Sequence, residues 1–284
     1  MDRREFLRLL TMAAAAGMPV ANVLARPGDS SRIYELDTFG NVRLLHFTDC
    51  HAQLMPVYFR EPSVNLGFAD ALGRPPHLVG ESLLKWAGYA PDTMQGHAFS
   101  YLNFTEAAER FGKVGGFAHL QTLVKRLRGA YGEDKTLLLD GGDTWQGSGT
   151  ALWTRGRDMV DACNLLGVDV MTGHWEFTYL DEEVRANIEA FNGEFIAQNV
   201  RVKEDALFEG VEAYDEDEGY AFKPYTIKQM GEHRVAIIGQ AFPYTPIANP
   251  SRFIPNWTFG IRDEAMQRLV DQVRATEKPD AVIL

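Results

Sequence analysis

The chain has 284 residues, 45% of them hydrophobic, and a formal net charge of −11. These values predict a globular protein with one large domain or two small ones, and they exclude a disordered chain. The acidic balance also argues against nucleic acid as a partner, because binding to a phosphate backbone requires clustered lysine and arginine.

The N-terminus predicts an export signal. Arg3 and Arg4 form a twin-arginine pair, and the alanine-rich apolar stretch from Leu9 to Leu24 is short for a membrane span. Ala25 offers a small residue for cleavage. We therefore expect a twin-arginine signal peptide over residues 1–25, which would send the folded protein to the periplasm with no membrane span after cleavage. A cytosolic N-terminal helix is the alternative.

A polar connector over residues 26–40 leads to the first predicted strand, Asn41 to Thr48. This strand is followed by Asp49-Cys50-His51. In an extended segment, side chains two residues apart point to the same side, so Asp49 and His51 could hold one metal ion. An Asp-x-His pair alone usually has no metal, and this motif needs support from others.

Residues 52–111 form a long insertion rich in proline, glycine and aromatic residues. Loops of this length are usually functional or disordered, and the aromatic content argues against disorder. We expect a lid or docking surface over the site, with a purely structural insertion as the alternative.

A second strand, Lys135 to Leu139, follows an amphipathic helix predicted over Phe117 to Leu127, giving a β-α-β unit. The strand ends at two glycines, which allow a sharp turn, and Asp143 follows them. The carboxyl ends of strands are where open α/β sheets bind ligands. Asp143 could bridge two ions with its two oxygens, although Gly-Gly-Asp alone is usually a turn. Arg155, in the loop that follows, is a candidate contact for an anionic substrate, and a solvated arginine is the alternative.

A third strand, Asp169 to Thr172, leads into Gly173-His174-Trp175-Glu176-Phe177. His174 would serve the second ion. Each of the three strand-end motifs is weak evidence by itself, but their occurrence in this order predicts a dinuclear metal site.

The rest of the chain continues the α/β pattern. We predict helices over Met159–Leu166, Leu180–Phe191 and Asp263–Thr276, strands over 194–199 and from Asp280, a hairpin of 225–230 with 234–238, a solvated acidic loop over 203–218 and a loop over 242–259. Cys50 and Cys163 are the only cysteines, and we predict that both are free.

Together these motifs resemble those of the calcineurin-like metallophosphoesterases, in their 5′-nucleotidase branch. The motifs that carry the resemblance are Asp49-x-His51, Gly142-Asp143, Gly173-His174-x-Glu176, Gly115-Gly116-Phe117-Ala118 and Gln198-Asn199-Val200.

One motif departs from the nucleotidases. They carry Gly-Asn-His-Glu-Phe-Asp at the third strand end, where Asn binds metal and His with Asp forms a catalytic dyad. In this chain His174 stands at the Asn position, Trp175 at the His position and Thr178 at the Asp position. This pattern resembles the SoxB family of periplasmic thiosulfohydrolases.

The resemblance implies an α/β fold over residues 41–284, a metallophosphoesterase-type β-sandwich flanked by helices. It also implies that this chain is truncated before the last metal-binding strands, since further metal-binding histidines and a C-terminal 5′-nucleotidase-type domain would follow Leu284. We therefore expect residues 1–284 alone to bind metal poorly and to be inactive.

For the site, the resemblance implies two Mn²⁺ ions, with other divalent metals as alternatives. Asp49, His51, Asp143 and His174 would be ligands, Glu176 would orient its motif, and a metal-bound hydroxide would be the nucleophile. No side chain is assigned a catalytic role. Trp175 and Arg155 are candidate substrate contacts.

The implied reaction is hydrolysis of cysteine S-thiosulfonate on the SoxYZ sulfur-carrier protein, with release of sulfate. A periplasmic 5′-nucleotidase or cyclic-nucleotide phosphodiesterase is the first alternative, because it shares every metal motif. A non-catalytic binding protein that retains a relic site is the second.

Overall fold

Four parallel strands form the main sheet, in the order β1-β2-β3-β4. The computed structural model describes residues 40–58, 67–91, 93–100 and 104–284, so the predicted signal peptide and nearly all of the connector lie outside the described residues. The strands are β1 (Arg43–Phe47), β2 (Thr136–Asp140), β3 (Val170–Met171) and β4 (Glu194–Phe195). Parallel pairing puts their carboxyl ends on one edge, which brings the three sequence motifs together.

A second sheet contains the predicted hairpin. Strands β6 (Tyr225–Met230) and β7 (His233–Ile238) are antiparallel, and β9 (Ala281–Ile283) pairs in parallel with β7. A separate two-stranded ladder joins β5 (Arg201–Val202) to β8 (Trp257–Thr258).

The two larger sheets pack face to face. Leu137 of β2 shares one buried cluster with Val235 and Ile237 of β7, whereas Leu138 faces the opposite side with the helices. On β7 the intervening Ala236 and Ile238 face a helix instead. Both faces of each sheet are thus covered, which explains why β2 and β7 contain the continuous apolar runs 137–139 and 235–238 rather than alternating patterns. The β-sandwich flanked by helices is confirmed.

The helices surround this sandwich. Their bounds are α1 (Gly80–Ala87), α2 (Met94–Ser100), α3 (Phe104–Phe111), α4 (Phe117–Tyr131), α5 (Gly149–Thr154), α6 (Arg157–Leu166), α7 (Leu180–Ala190), α8 (Glu204–Phe208), α9 (Thr245–Ala248) and α10 (Asp263–Thr276). Helices α4, α6 and α7 cover the main sheet, and α10 covers the second. Within the described ranges, no helix combines the length and apolar character needed to cross a membrane.

The sequence predictions failed mainly at short elements. The helix from Phe117 runs on to Tyr131, and α5, α8, α9 and β8 lie in stretches predicted as loops. Elements of two to six residues are too short for their hydrophobic period to be recognised. The strand predicted over 194–199 ends at Phe195. From Ala197 on, the backbone has other partners: the amide of Ala197 donates to the carbonyl of Lys223 and that of Gln198 to the carbonyl of Gly239.

The described part of the insertion contains helices α1, α2 and α3. Several of its large apolar side chains are exposed, including Phe68, Trp86 and Met94. Its predicted role as a lid or docking surface stays a prediction.

Glu194 links the two sheets and gives the fold a predictable acid sensitivity. Its carboxylate, 31% exposed, contacts Lys223, Lys228 and Thr226. Burial alone raises the pKa of Glu194, but the hydrogen bonds from the lysines outweigh it and lower the pKa from 4.5 to about 2. The stabilisation is therefore present above pH 4.5 and is lost as the pH falls toward 2.

We expect Glu194→Gln to lower the free energy of unfolding by about 1–2 kcal/mol at pH 7, after allowing for partial exposure. The difference from wild type should shrink as the pH falls below 4.5, because Glu194 of the unfolded chain takes up a proton there, whereas in the folded protein it does so only near pH 2. Urea unfolding at pH 7 and pH 3 measures both values. Glu189→Gln, at an exposed position on α7, is the control. A difference that does not change with pH would contradict the account.

Candidate metal centre

The loops after β1 and β2 are joined by backbone hydrogen bonds. The amide of Asp49 donates to the carbonyl of Gly142 at 2.9 Å, and the amide of His51 donates to the carbonyl of Asp143, also at 2.9 Å. These bonds extend the β1–β2 pairing past the strand ends. Side chains that follow two different strands are thereby held beside each other.

Three of the predicted ligands have left-handed backbone. Asp49, His51 and Asp143 have φ values of 55°, 49° and 56°. The segment is therefore not extended, and the predicted reason for the proximity of Asp49 and His51 is wrong. Their side chains still meet, with His51 Nε2 at 3.8 Å from Asp49 Oδ1. Positive φ is uncommon outside glycine, and it persists at functional sites where the surrounding structure enforces it.

Asp143 lies at the centre of the cluster. Its Oδ2 is 3.2 Å from His51 Nε2 and 3.5 Å from His174 Nδ1. One donor atom each from Asp49, Asp143 and His174 lies within 4.8 Å of the others. Ligands of one tetrahedral ion with bonds near 2.1 Å are separated by about 3.0–3.5 Å. All four predicted ligands are thus brought together: Asp143 lies at this spacing from both His51 and His174, and Asp49 lies within 4.8 Å of Asp143 and His174.

The cluster is open on one side. The Asp143 side chain is only 7% exposed, whereas those of His51 and Asp49 are 62% and 51% exposed. A ligand would approach past His51 and Asp49, with Asp143 at the base.

Gln146 is a contact of the site that the sequence reasoning missed. Its Nε2 donates to Asp143 Oδ1 at 3.1 Å. The imidazoles of His51 and His174 therefore both face the other oxygen, Oδ2, and do not each face a different oxygen of Asp143. The sequence offered one signal for this contact, because Gln146 follows Asp143 by only three residues. Thr48 was also missed; its hydroxyl donates to Asp49 Oδ2 at 2.6 Å.

Two glycines allow the loops to approach this closely. Gly142 has a φ of 94°, and a Cβ there would lie 2.9 Å from the backbone nitrogen of His174. Gly147 has a φ of 129°, and a Cβ there would lie 2.5 Å from the carbonyl oxygen of His51. A side chain at either position would push apart the loops that carry the predicted ligands.

Glu176 joins the second and third motifs. It is fully buried. Its Oε1 accepts hydrogen bonds from the amides of Thr144 at 2.7 Å and Trp145 at 3.2 Å, and its Oε2 accepts one from the amide of His174 at 2.6 Å. One carboxylate thus fixes the backbone on both sides of the cluster.

Asp140 lies beneath the Gly-Gly turn. Its Oδ1 accepts hydrogen bonds from the amide of Gly142 and the hydroxyl of Thr144, both at 2.9 Å. Burial, followed by repulsion from Glu176, raises the pKa of Asp140 to about 8. A pKa raised this far favours the neutral form of the carboxyl at pH 7.

Both cysteines are free in the structure. Cys50 is partly buried next to the site, and Cys163 is buried among the helices. Burial, followed by the charge of Asp140, raises the pKa of Cys50 to about 12. Cys50 is therefore a protonated thiol at neutral pH.

The two candidate substrate contacts have different surroundings. The ring of Trp175 lies 6.4 Å from that of His174 at an interplanar angle of 22°, so it flanks the cluster. Arg155 forms an ion pair with Glu183 on α7, and its carbonyl accepts a hydrogen bond from Asn187. Arg155 is thus tied to α7 in this structure.

The donor set fits a divalent metal. His174 Nδ1 is buried without a hydrogen-bond partner among the described residues, although it faces the Asp143 carboxylate. A buried nitrogen without a partner is costly unless something binds it. Mixed carboxylate and imidazole donors suit Mn, Fe or Zn.

Comparison with known proteins agrees with this fold. The structure of SoxB from Thermus thermophilus, described as a sulfate thiohydrolase, is 35% identical over 87% of this chain, with a TM-score of 0.65. The structure of a 5′-nucleotidase precursor from the same organism is 21% identical over 85% of the chain, with a TM-score of 0.54, which shows a shared fold. A calcineurin-like phosphoesterase of Bacillus subtilis also shares the fold.

Among curated proteins, bovine 5′-nucleotidase is 30% identical over 167 residues, which is 57% of this chain and 26% of that protein. A snake venom 5′-nucleotidase from Gloydius brevicauda is 30% identical over 143 residues, or 49% of this chain and 23% of that protein. No family model matches. The chain spans 44% of the SoxB chain and about a quarter of these curated relatives.

The chain shares its fold with SoxB, with a 5′-nucleotidase and with a calcineurin-like phosphoesterase, and its strand-end residues form a candidate metal site. The chain is thus a relative of SoxB and of the 5′-nucleotidases.

Proposed function

We propose that the full-length protein is a dinuclear-metal thiosulfohydrolase of the sulfur-oxidation (Sox) pathway. It would hydrolyse cysteine S-thiosulfonate on the SoxYZ carrier and release sulfate, after export to the periplasm by the twin-arginine route. The observation that carries this proposal is Trp175, an indole beside the predicted ligand His174 where the nucleotidases carry a catalytic histidine. The greater likeness to SoxB than to the 5′-nucleotidase structure supports it.

Asp49, His51, Asp143 and His174 would hold the metal ions, with Mn²⁺ as the first candidate. When bound, paired divalent ions lower the pKa of water and stabilise negative charge on an oxyanion under attack. The chain's own residues set the geometry: Gln146 fixes the Asp143 carboxylate, Thr48 fixes that of Asp49, and Glu176 fixes the His174 loop.

The reaction breaks the bond between the terminal sulfane sulfur and the sulfonate sulfur. An oxygen from water bonds to the sulfonate sulfur, the bonding electron pair leaves with the sulfane sulfur as a persulfide, and the remaining protons of the water are released. The products are sulfate and a carrier persulfide. No electron donor or acceptor is needed, because this is a hydrolysis.

The leaving group explains why this reaction would not need the His–Asp dyad of the nucleotidases. A phosphate ester expels an alkoxide, a strong base that benefits from a nearby acid. A persulfide is a far weaker base and needs little protonation. Trp175 and Thr178 stand at the first and fourth positions of a turn that continues as a 3₁₀ helix, where residues three apart lie one above the other. Neither side chain is an acid near neutral pH.

The test is a direct comparison of two products. The full-length protein, loaded with Mn²⁺, is given a thiosulfonate-loaded carrier in one assay and a nucleoside monophosphate in another. We expect sulfate release in the first and no phosphate release in the second. Phosphate release alone would overturn the proposal and would indicate a nucleotidase instead.

We expect the double substitution Trp175→His with Thr178→Asp to leave sulfate release unchanged or lower, because the leaving group gains little from an added acid. Rates of sulfate release under single-turnover conditions measure this effect. Trp153→His, at an exposed position on α5, is the matched control for replacing an indole by an imidazole. A sharp rise in thiosulfonate turnover in the double variant alone would contradict the argument.

A 5′-nucleotidase or cyclic-nucleotide phosphodiesterase is the second candidate. The observation in its favour is that the curated relatives at 30% identity are 5′-nucleotidases. A non-catalytic binding protein is the third candidate, and metal content separates it from both enzymes, since a relic site would not hold two ions after dialysis.

A further inference from the structure

We propose that Phe242 and Asn199 are positioning residues for His174: Asn199 holds the backbone before Phe242, and Phe242 packs its ring on the imidazole. This inference rests on the proposed function, in which His174 is a metal ligand. Neither residue is close to His174 in sequence, and both follow strands other than the one that carries it.

Phe242 covers one face of the His174 ring. The two ring centroids are 4.1 Å apart and the planes differ by 23°, which is a stacked contact. The amide of Phe242 also donates to the carbonyl of Gly173 at 3.0 Å, so the two segments are joined by backbone as well. The ring of Phe242 therefore limits the rotation of the imidazole about its side-chain bonds.

His174 needs this support because hydrogen bonds do not provide it. Histidine ligands are usually oriented by a hydrogen bond on the ring nitrogen that does not bind the metal. Within the described residues, no hydrogen bond reaches the imidazole of His174; its Nδ1 is buried and faces Asp143 at 3.5 Å. Stacking on Phe242 is the closest ring contact that His174 makes, since Trp175 lies 6.4 Å away.

Asn199 fixes the segment that carries Phe242. Its Nδ2 donates to the carbonyl of Ala241 at 2.8 Å, and its Oδ1 accepts from the amide of Ala241, also at 2.8 Å. Nδ2 further donates to the carbonyl of Gly260 at 3.1 Å. Asn199 is fully buried, so these bonds are shielded from water. This gives Gln198-Asn199-Val200 a physical role: its asparagine orients the residue before Phe242.

The experiment measures Mn²⁺ binding to the full-length protein. Phe242→Leu keeps apolar volume but removes the flat ring, and we expect it to weaken one of the two Mn²⁺ sites by about 10- to 100-fold. Tyr244→Leu is the control, because Tyr244 is a half-exposed aromatic residue two positions away that contacts Phe242 edge-on. It should bind within about twofold of wild type. Equal affinity of wild type and Phe242→Leu for both ions would overturn the inference.

Asn199→Asp tests the second half. Aspartate can still accept from the amide of Ala241 but cannot donate to the carbonyls of Ala241 and Gly260, so we expect weakening at the same Mn²⁺ site. Melting of the metal-free variants checks that each still folds. Unchanged affinity in a folded Asn199→Asp variant would remove Asn199 from the proposal.

A second measurement needs neither metal nor substrate. In the metal-free protein, the ring current of Phe242 should shift the NMR signals of the His174 ring protons upfield, and Phe242→Leu should abolish that shift. If the protein binds no metal and the shift is present, the proposed function fails while the stacking stands. If the shift is absent, the inference fails whatever the protein catalyses.

Discussion

Replacing Asp143 by Asn is expected to lower hydrolytic activity by more than about 100-fold. Loss of a residue that only orients a metal ligand costs up to about 100-fold, and loss of the ligand itself should cost more. Asp143 Oδ2 is the atom that both His51 and His174 approach, at 3.2 and 3.5 Å. Asparagine keeps the shape of the side chain but has no negative charge, and its NH₂ group cannot bind a metal. Loss of the shared ligand should therefore affect both ions.

Bound metal and product release after purification with Mn²⁺ measure this effect. Asp161→Asn is the matched control, because Asp161 is an exposed aspartate on α6 whose one ion-pair partner in the described part of the chain is Arg157, four residues away. It should leave metal content and activity at wild-type values. If Asp143→Asn kept two ions per protein and full activity, the site would lie elsewhere.

The main sheet was predictable because its strands carry strong local signals. Leu137 to Leu139 is an uninterrupted apolar run that leads to a pair of glycines, and parallel pairing then places the Gly142–Asp143 loop beside the other strand ends. The helix predicted over Asp263–Thr276 was confirmed with the same bounds, since its apolar residues recur at helical spacing over fourteen positions. For two-residue strands such as β3, the position was predicted correctly but the length was not, because tertiary hydrogen bonds decide where such strands end.

The convergence of Asp49, Asp143 and His174 was also predictable, because each follows a strand of one parallel sheet. The conformation that achieves it was not. Left-handed backbone at Asp49 and His51 is imposed by bonds to the Gly142–Asp143 loop, more than 90 residues away in sequence. Phe242 was missed for the same reason: its contact with His174 depends on how the segment after β7 meets the loop after β3, which no local pattern encodes.

Glu176 was recognisable from the sequence, but its structural role was not. The sequence marks it as part of a motif, but only the fold shows that it accepts amides from both the β2 and the β3 loop. Hydrogen bonds to a buried carboxylate each contribute about 1.5–3 kcal/mol. A buried charge is tolerated there because three donors point at it. Its replacement should therefore cost both stability and the alignment of the ligands.

We expect Glu176→Gln to lower the free energy of unfolding by about 2–4 kcal/mol and metal affinity by about 10- to 100-fold. A glutamine can keep its oxygen toward Thr144 and Trp145, which places its NH₂ group against the amide of His174, donor facing donor. The His174 loop should then move away. Urea unfolding of the metal-free protein and Mn²⁺ titration measure the two effects, with Glu182→Gln, at an exposed position on α7, as the control. If Glu176→Gln lost stability but kept wild-type metal affinity, Glu176 would support the fold without orienting His174.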